Sequence, residues 1–260
     1  MPRFWRVRQG LLGLLRRRRV AGWAVEVLVG HATFAGLAAR GSLCCFHAVY
    51  RFIRAQYYEP ELLWASARRE LEAFCGLMIL LVSPWWLPWN REVQPTDASE
   101  SGWGIATSMW EAPDLQRVGR LLERARFKRT GGASAREAAL ASAGLERGED
   151  GCWRPGAAFE DLDGLEDWAV DPRYEEVPAR LLAADRWRIV RHGRWEREEK
   201  ILRLEARVVV KAAKRLSCTV HGSCIRQVFL SDNMSVVLAF ERARCRNFEL
   251  LVQLRVLCSV

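Results

Sequence analysis

Pro95-Thr96-Asp97-Ala98-Ser99-Glu100-Ser101-Gly102-Trp103-Gly104-Ile105-Ala106-Thr107-Ser108-Met109 is the stretch whose reading decides the fold. From Trp103 the side chains alternate, with Trp103, Ile105, Thr107 and Met109 on one side and Gly104, Ala106 and Ser108 on the other. That is the period of a strand. Ser99-Glu100-Ser101-Gly102 has the small, polar composition of a tight turn, so a second strand carrying Asp97 precedes it. The Gly-x-Gly belongs to this hairpin, and no Walker-type phosphate loop follows it.

Two further carboxylates stand where a chain normally avoids them. The helix expected over 199–216 places Ile201, Leu204, Val208, Ala212 and Leu216 on one face and turns Arg203, Arg207, Lys211 and Lys214 away. Glu205 projects from the middle of the apolar face, where an unpaired carboxylate must meet a cation, take up a proton or sit at the rim of a cleft. Asp232 ends the apolar strand Val228-Phe229-Leu230. Each has a structural alternative: an ion pair from Glu205 to Arg186 or Arg188, helix N-capping by Asp232, and a turn role for Asp97 beside Ser99. Their order along the chain, hairpin Asp, helix Glu, strand-end Asp, builds a site in which divalent cations relieve the mutual repulsion.

Outward from this core, residues 1–90 read as helices: a basic first helix, a break near Ala21-Gly22, then 25–37, 43–58 and 60–82. In the last, Leu63, Ala67, Leu71, Phe74 and Met78 form an apolar face, with Arg68, Arg69, Glu70 and Glu72 expected largely off it. Seven arginines and no acid precede Glu26, with Phe4, Val7, Leu11 and Leu14 at helical spacing. This reads as a basic helix against a partner rather than a transit peptide. Residues 74–89 are apolar but shorter than the roughly 20 residues of a spanning helix and interrupted by Pro84 and Pro88, so no membrane partner is expected.

Residues 111–184 read as an irregular insertion: helical over 115–127, rich in small residues over 131–143 and acidic over 160–171, with a strand resuming at 187–190. Half the residues are hydrophobic and the formal net charge is +9, which excludes a disordered tail and favours a polyanionic partner. The eight cysteines are scattered. Neither Cys44-Cys45 with His47 nor Cys218, His221 and Cys224 has paired zinc-ligand spacing. Reduced thiols in an intracellular protein, cytoplasmic or nuclear and not secreted, are expected.

Thr96-Asp97-Ala98-Ser99 followed by Gly102-Trp103-Gly104, the helix segment Ile201-Leu202-Arg203-Leu204-Glu205-Ala206-Arg207, and Leu230-Ser231-Asp232-Asn233 together resemble the ribonuclease H-like domain attached to reverse transcriptases of retroelements. Arg3 to Arg19 followed by 27–34 is similar to the thumb and connection segment behind a polymerase palm. No acidic pair in a hairpin of the Tyr-x-Asp-Asp kind occurs within residues 1–90, so no polymerase activity is expected. The resemblance covers about residues 1–110 and 185–260. It implies an α/β fold, a ribonuclease H-like mixed sheet flanked by helices over 91–260, preceded by an all-helical thumb/connection segment over 1–90.

It further implies that Asp97, Glu205 and Asp232 hold two Mg2+ or Mn2+ ions about 4 Å apart for hydrolysis of the RNA strand of an RNA/DNA hybrid. Arg16, Arg17, Arg18, Arg19, Ser99, Asn233, Arg242, Arg244 and Arg246 are the candidate nucleic-acid contacts, and the missing polymerase part of a polyprotein is a further candidate partner. In one respect the chain departs from the family: its last strand and late aspartate are expected to be missing after Cys258-Ser259-Val260. A catalytically inactive nucleic-acid-binding remnant and a helical protein-interaction module are therefore the alternative readings.

Overall fold

A computed structural model describes residues 3–83, 86–129, 145–147, 153–155, 168–222, 224–245 and 247–259. Residues 1–120 and 177–260 make one compact unit, and residues 121–176 make another.

The first unit begins with helix α1 (Arg3–Leu15), whose Val7, Leu11 and Leu14 are buried. It continues through α2 (Gly22–Gly36), a 3-10 segment (Leu37–Phe46), α3 (His47–Ala55) and α4 (Ala65–Leu77). Their shared core contains Leu11, Phe46, Phe52, Leu71 and Phe74, each essentially inaccessible to water. Burying each of the larger of these side chains stabilises the unit by about 1.5–3 kcal/mol relative to exposure. Gly22 is required where α2 starts, because a Cβ there would lie 2.6 Å from the Ile53 carbonyl oxygen and 2.8 Å from that of Gln56.

Several helix boundaries differ from the sequence expectation. The helix expected over 60–82 is shorter, because Glu61–Leu62 (β2) pairs antiparallel with Arg19–Val20 (β1). The helix expected from 43 begins only at His47, after a 3-10 segment kinked at Ala39 (φ −138°, ψ 85°). The stretch Gly22–Ala55 is long and apolar enough to cross a membrane by length and composition, with mean hydropathy 1.2. Val25, Val29, Ala32, Phe46 and Phe52 of this stretch pack inside the helical core, while only 28% of its most apolar window is buried and Trp23, Val27 and Phe34 are exposed.

Glu70, expected off the apolar face, is buried. Its Oε2 accepts from the Val49 backbone N–H at 3.0 Å and its Oε1 pairs with Arg255, so the carboxylate is satisfied where it lies.

The mixed α/β part carries the sheet. Strand β3 (Glu92–Ala98) pairs antiparallel with β4 (Gly102–Met109) through the turn expected at 99–102, where the Ser99 N–H donates to the Gly102 carbonyl at 2.9 Å and the Gly102 N–H donates to Ser99 Oγ at 3.1 Å. Helix α5 (Ala112–Val118) follows. It is shorter than the helix expected over 115–127, which gives way to a 3-10 turn at Glu123–Ala125 and then to strand.

In the second unit, β5 (Phe127–Arg129) pairs antiparallel with β8 (Trp168–Val170), and β6 (Leu145–Arg147) pairs with β7 (Trp153–Pro155). The Arg126 guanidinium is paired with Glu123 and Glu176 and lies 4.5 Å from the Tyr174 ring. The stretches expected at 131–143 and 160–167 lie outside the described residues.

Back in the first unit, helix α6 (Ala179–Leu182) leads into β9 (Arg188–Arg194), longer than the strand expected at 187–190 because its ladder to β4 continues to Gly102↔Arg194. Next come α7 (Ile201–Ser217), β10 (Phe229–Leu230), α8 (Met234–Arg242) and α9 (Phe248–Cys258). The sheet order is β10-β3-β4-β9, with β10 parallel to β3 and the other pairs antiparallel. The result is a mixed sheet flanked by helices.

Each sheet face is covered at a different end. Ala98 and Ile105 pack under Leu204, Val208 and Ala212 of α7. Val93 packs with Trp110, Leu115 and Leu181. The opposite flank of α7, with Ala206 and Val209, meets Val236 and Ala239 of α8 and Leu250 of α9. The expected alternation along β4 therefore holds, yet both rows contain buried residues, Ile105 in one and Ser108 in the other.

Candidate metal centre

Strand register brings Asp97 and Asp232 together. β10 runs parallel to β3 with Leu230 opposite Pro95, and just past the end of β10 the chain brings Asp232 to Asp97. Glu205 is buried on α7 between Leu204, which packs on the sheet, and Ala206, which packs on α8 and α9. One carboxylate oxygen from each of the three residues lies within 4.8 Å of the others.

The alternative structural roles are filled by other groups. The α8 N-cap is Asn233, whose Oδ1 accepts from the Val236 N–H at 3.2 Å, so Asp232 does not serve as the cap. Asp97 is not a turn residue: it lies within β3 opposite Gly104, and Ser99 closes the hairpin. Neither Arg186 nor Arg188 pairs with Glu205, and among the described residues no ion pair reaches it.

β10 stops pairing with β3 at Pro95, and the Ala98 N–H beyond that point donates to the Glu205 carboxylate. Oε2 of Glu205 is buried with no hydrogen-bond partner. Burial, reinforced by the negative charges of Asp232 and Asp97, pushes this carboxyl from 4.5 up to about 7. The single backbone donor opposes that rise only weakly.

These residues fit a hard divalent cation. Carboxylate oxygens are the preferred donors of Mg2+-class ions, one oxygen from each of the three lies within 4.8 Å of the others, and Glu205 has a carboxylate oxygen with no hydrogen-bond partner. A cation there reverses the electrostatics that otherwise favour protonation. The two cysteine-histidine sets of the sequence form no such group among the described residues.

The remaining candidates are dispersed. Arg16, Arg17 and Arg18 are exposed in the turn after α1, which ends at Leu15, and Arg19 is exposed in β1, so these four are not on the helix that the resemblance implies. Arg242 and Arg244 are exposed at and after the end of α8. Arg246 lies outside the described residues. Ser99 uses its hydroxyl in the hairpin turn but also lines an open cleft beside Asp97, together with Gly102, Gly104, His192 and Arg194.

His192 and Arg194 were absent from the sequence candidates. The signal that finds them is register, since Asp97 is opposite Gly104 and Gly104 is opposite His192. Compared with known proteins, the chain matches no family model, no curated protein and no solved structure.

Proposed function

We propose that this protein is a metal-dependent nuclease: a ribonuclease H-like domain of the retroelement reverse-transcriptase kind that hydrolyses the RNA strand of RNA/DNA hybrids. The observation that carries this reading is the convergence of Asp97, Glu205 and Asp232, from a hairpin strand, a helix and a strand end, to within 4.8 Å, with a buried oxygen of Glu205 left unpartnered. The order of elements supports it. Three antiparallel strands, a helix packed on the sheet, and a parallel strand beside the first are what the resemblance implies.

In this reading Asp97, Glu205 and Asp232 are the ligands of two Mg2+ or Mn2+ ions. When bound, such ions supply Lewis-acid charge for the attacking water and for the leaving oxygen of an in-line displacement. The chain's own part is positional. Packing on two sides of α7 holds Glu205 in place, and the Ala98 N–H restrains its carboxylate, so little reorganisation is left for substrate binding. Preference for the RNA strand comes from the resemblance, and the net charge of +9 suits a polyanionic duplex.

The test is cleavage of an end-labelled RNA/DNA hybrid with Mg2+ or Mn2+, beside Asp97→Asn. Cleavage by the natural chain that falls more than about 100-fold in the variant is expected, a ligand being worth more than the outer-shell groups whose loss costs 10–100-fold. Hybrid binding without metal-dependent cleavage would sink the hydrolytic reading.

A further inference from the structure

Asp97, the triad member on the exposed sheet face, stands at one end of a larger depression. A cleft of about 540 Å³ opens beside it, and its lining includes Asp97, Gly102, Gly104, His192 and Arg194. Strand register explains its shape. Asp97 pairs with Gly104 and Gly104 with His192, while Gly102 pairs with Arg194. Directly opposed residues project to the same face of a sheet, so Asp97, His192 and Arg194 rise from one face with two glycines between them. Two strand spacings, about 10 Å, separate Asp97 from His192.

At Gly104 the bare floor is not needed for packing, because a Cβ there would meet no atom within 4 Å, whereas at Gly102 a Cβ would lie 2.9 Å from the Gly193 carbonyl oxygen. On the opposite face Ala98 and Ile105 are covered by α7. Chemically the cleft is two-ended. At one end is Asp97, one of whose carboxylate oxygens lies within 4.8 Å of a carboxylate oxygen of buried Glu205 and of one of Asp232. At the other are the Arg194 guanidinium and the His192 imidazole, both exposed and without hydrogen-bond or ion-pair partners among the described residues.

A ligand spanning this cleft must be anionic beside Arg194 and His192 and must meet the carboxylates through cations. A strand with phosphates in succession satisfies both conditions, whereas a single anion fills only one end. We infer that the cleft over Gly102 and Gly104 is a phosphate track: His192 and Arg194 hold a phosphodiester of the same strand whose neighbouring phosphodiester lies at the triad. This rests on the nuclease reading for the chemistry at the triad, but the track binds its strand whether or not the triad cleaves.

The experiment measures binding of a fluorescently labelled RNA/DNA hybrid to the full chain in EDTA, across a salt series, with thermal melts as the folding control. The His192→Ala, Arg194→Ala double variant is expected to bind roughly tenfold more weakly, as loss of a charge-assisted contact implies. Its log Kd against log salt should flatten by about 1. Gly104→Leu, which adds bulk only to the open face, should weaken binding comparably while melting like the natural chain. Natural affinity and salt slope in both variants would overturn the track, as would failure of the natural chain to bind hybrid. If the natural chain binds without cleaving and the variants lose binding, the track stands and the hydrolytic reading falls; cleavage with unchanged binding in the variants gives the reverse.

Discussion

Replacing Glu205 by Gln in metal-free protein isolates the electrostatic cost of the triad. Burial, then the charges of Asp232 and Asp97, raise the Glu205 carboxyl from 4.5 to about 7. Between those values the folded protein holds a proton that the unfolded chain has released. The stability contributed by this group is therefore complete below about 4.5 and is lost as pH rises through about 7. The difference between 4.5 and about 7 corresponds to about 3 kcal/mol of destabilisation at pH 8. Glutamine keeps the shape and an acceptor for the Ala98 N–H but cannot ionise. At pH 8 in EDTA, Glu205→Gln should therefore melt higher than the natural chain, by roughly 6–12 °C at about 2–4 °C per kcal/mol. At pH 4 the two should melt together. Added Mg2+ should stabilise the natural chain, by about 2.7 kcal/mol at one hundred times Kd, and the variant much less. Circular dichroism melts at the two pH values give the comparison directly. A variant that is equally or less stable than the natural chain at pH 8, with the same difference at pH 4, would refute a desolvated and repelled carboxylate at this position.

Two substitutions test the frame that holds the triad. Asn233→Ala removes the α8 N-cap and should cost about 1 kcal/mol, whereas Asp232→Asn leaves the cap intact and should not lower stability by that route; urea titration of both separates cap from ligand. Glu70→Gln removes the charge that pairs with Arg255 of α9 while keeping an acceptor for the Val49 N–H, and should cost about 1.5–3 kcal/mol in the same titration, with no loss if the pair is unimportant.

The clustering of three carboxylates is more legible in the sequence than the elements around it. Asp97, Glu205 and Asp232 each sit against a local pattern, a turn, an apolar helix face or a strand end, so their oddity shows without any tertiary knowledge. Glu70 was misplaced for the opposite reason: its partners, Val49 and Arg255, are distant in sequence, and burial follows from them rather than from helical period. β9 was expected only to Val190 because Arg191-His192-Gly193-Arg194 carries no apolar alternation. Every residue of that strand is exposed or half-buried, and the backbone ladder to β4 alone defines it. Hydrophobic period has nothing to report on such an edge strand, so His192 and Arg194 carry no signal in the sequence. The early end of α1 and the late start of α4 arise likewise from the pairing of β1 with β2, two residues each, which is too short to leave a pattern.

Neighbouring residues leave the triad available to a cation. A carboxylate at a turn, before a helix or inside a core is ordinarily explained by turn closure, capping or ion pairing. Here Ser99 closes the turn, Asn233 caps α8, and the arginines beside Glu205 on α7, Arg203 and Arg207, are both paired with Glu199. Each ordinary role is filled by an adjacent side chain, which leaves three acids converging without a structural task. Their repulsion is maintained by packing: Leu204 and Val208 are buried on one flank of α7 and Ala206 and Val209 on the other. Fully burying each of the larger of these side chains contributes about 1.5–3 kcal/mol, so together they exceed the roughly 3 kcal/mol that the desolvated carboxylate costs. A fold that holds a desolvated acid against two others gives the three a common need for positive charge, which a divalent cation among them would supply.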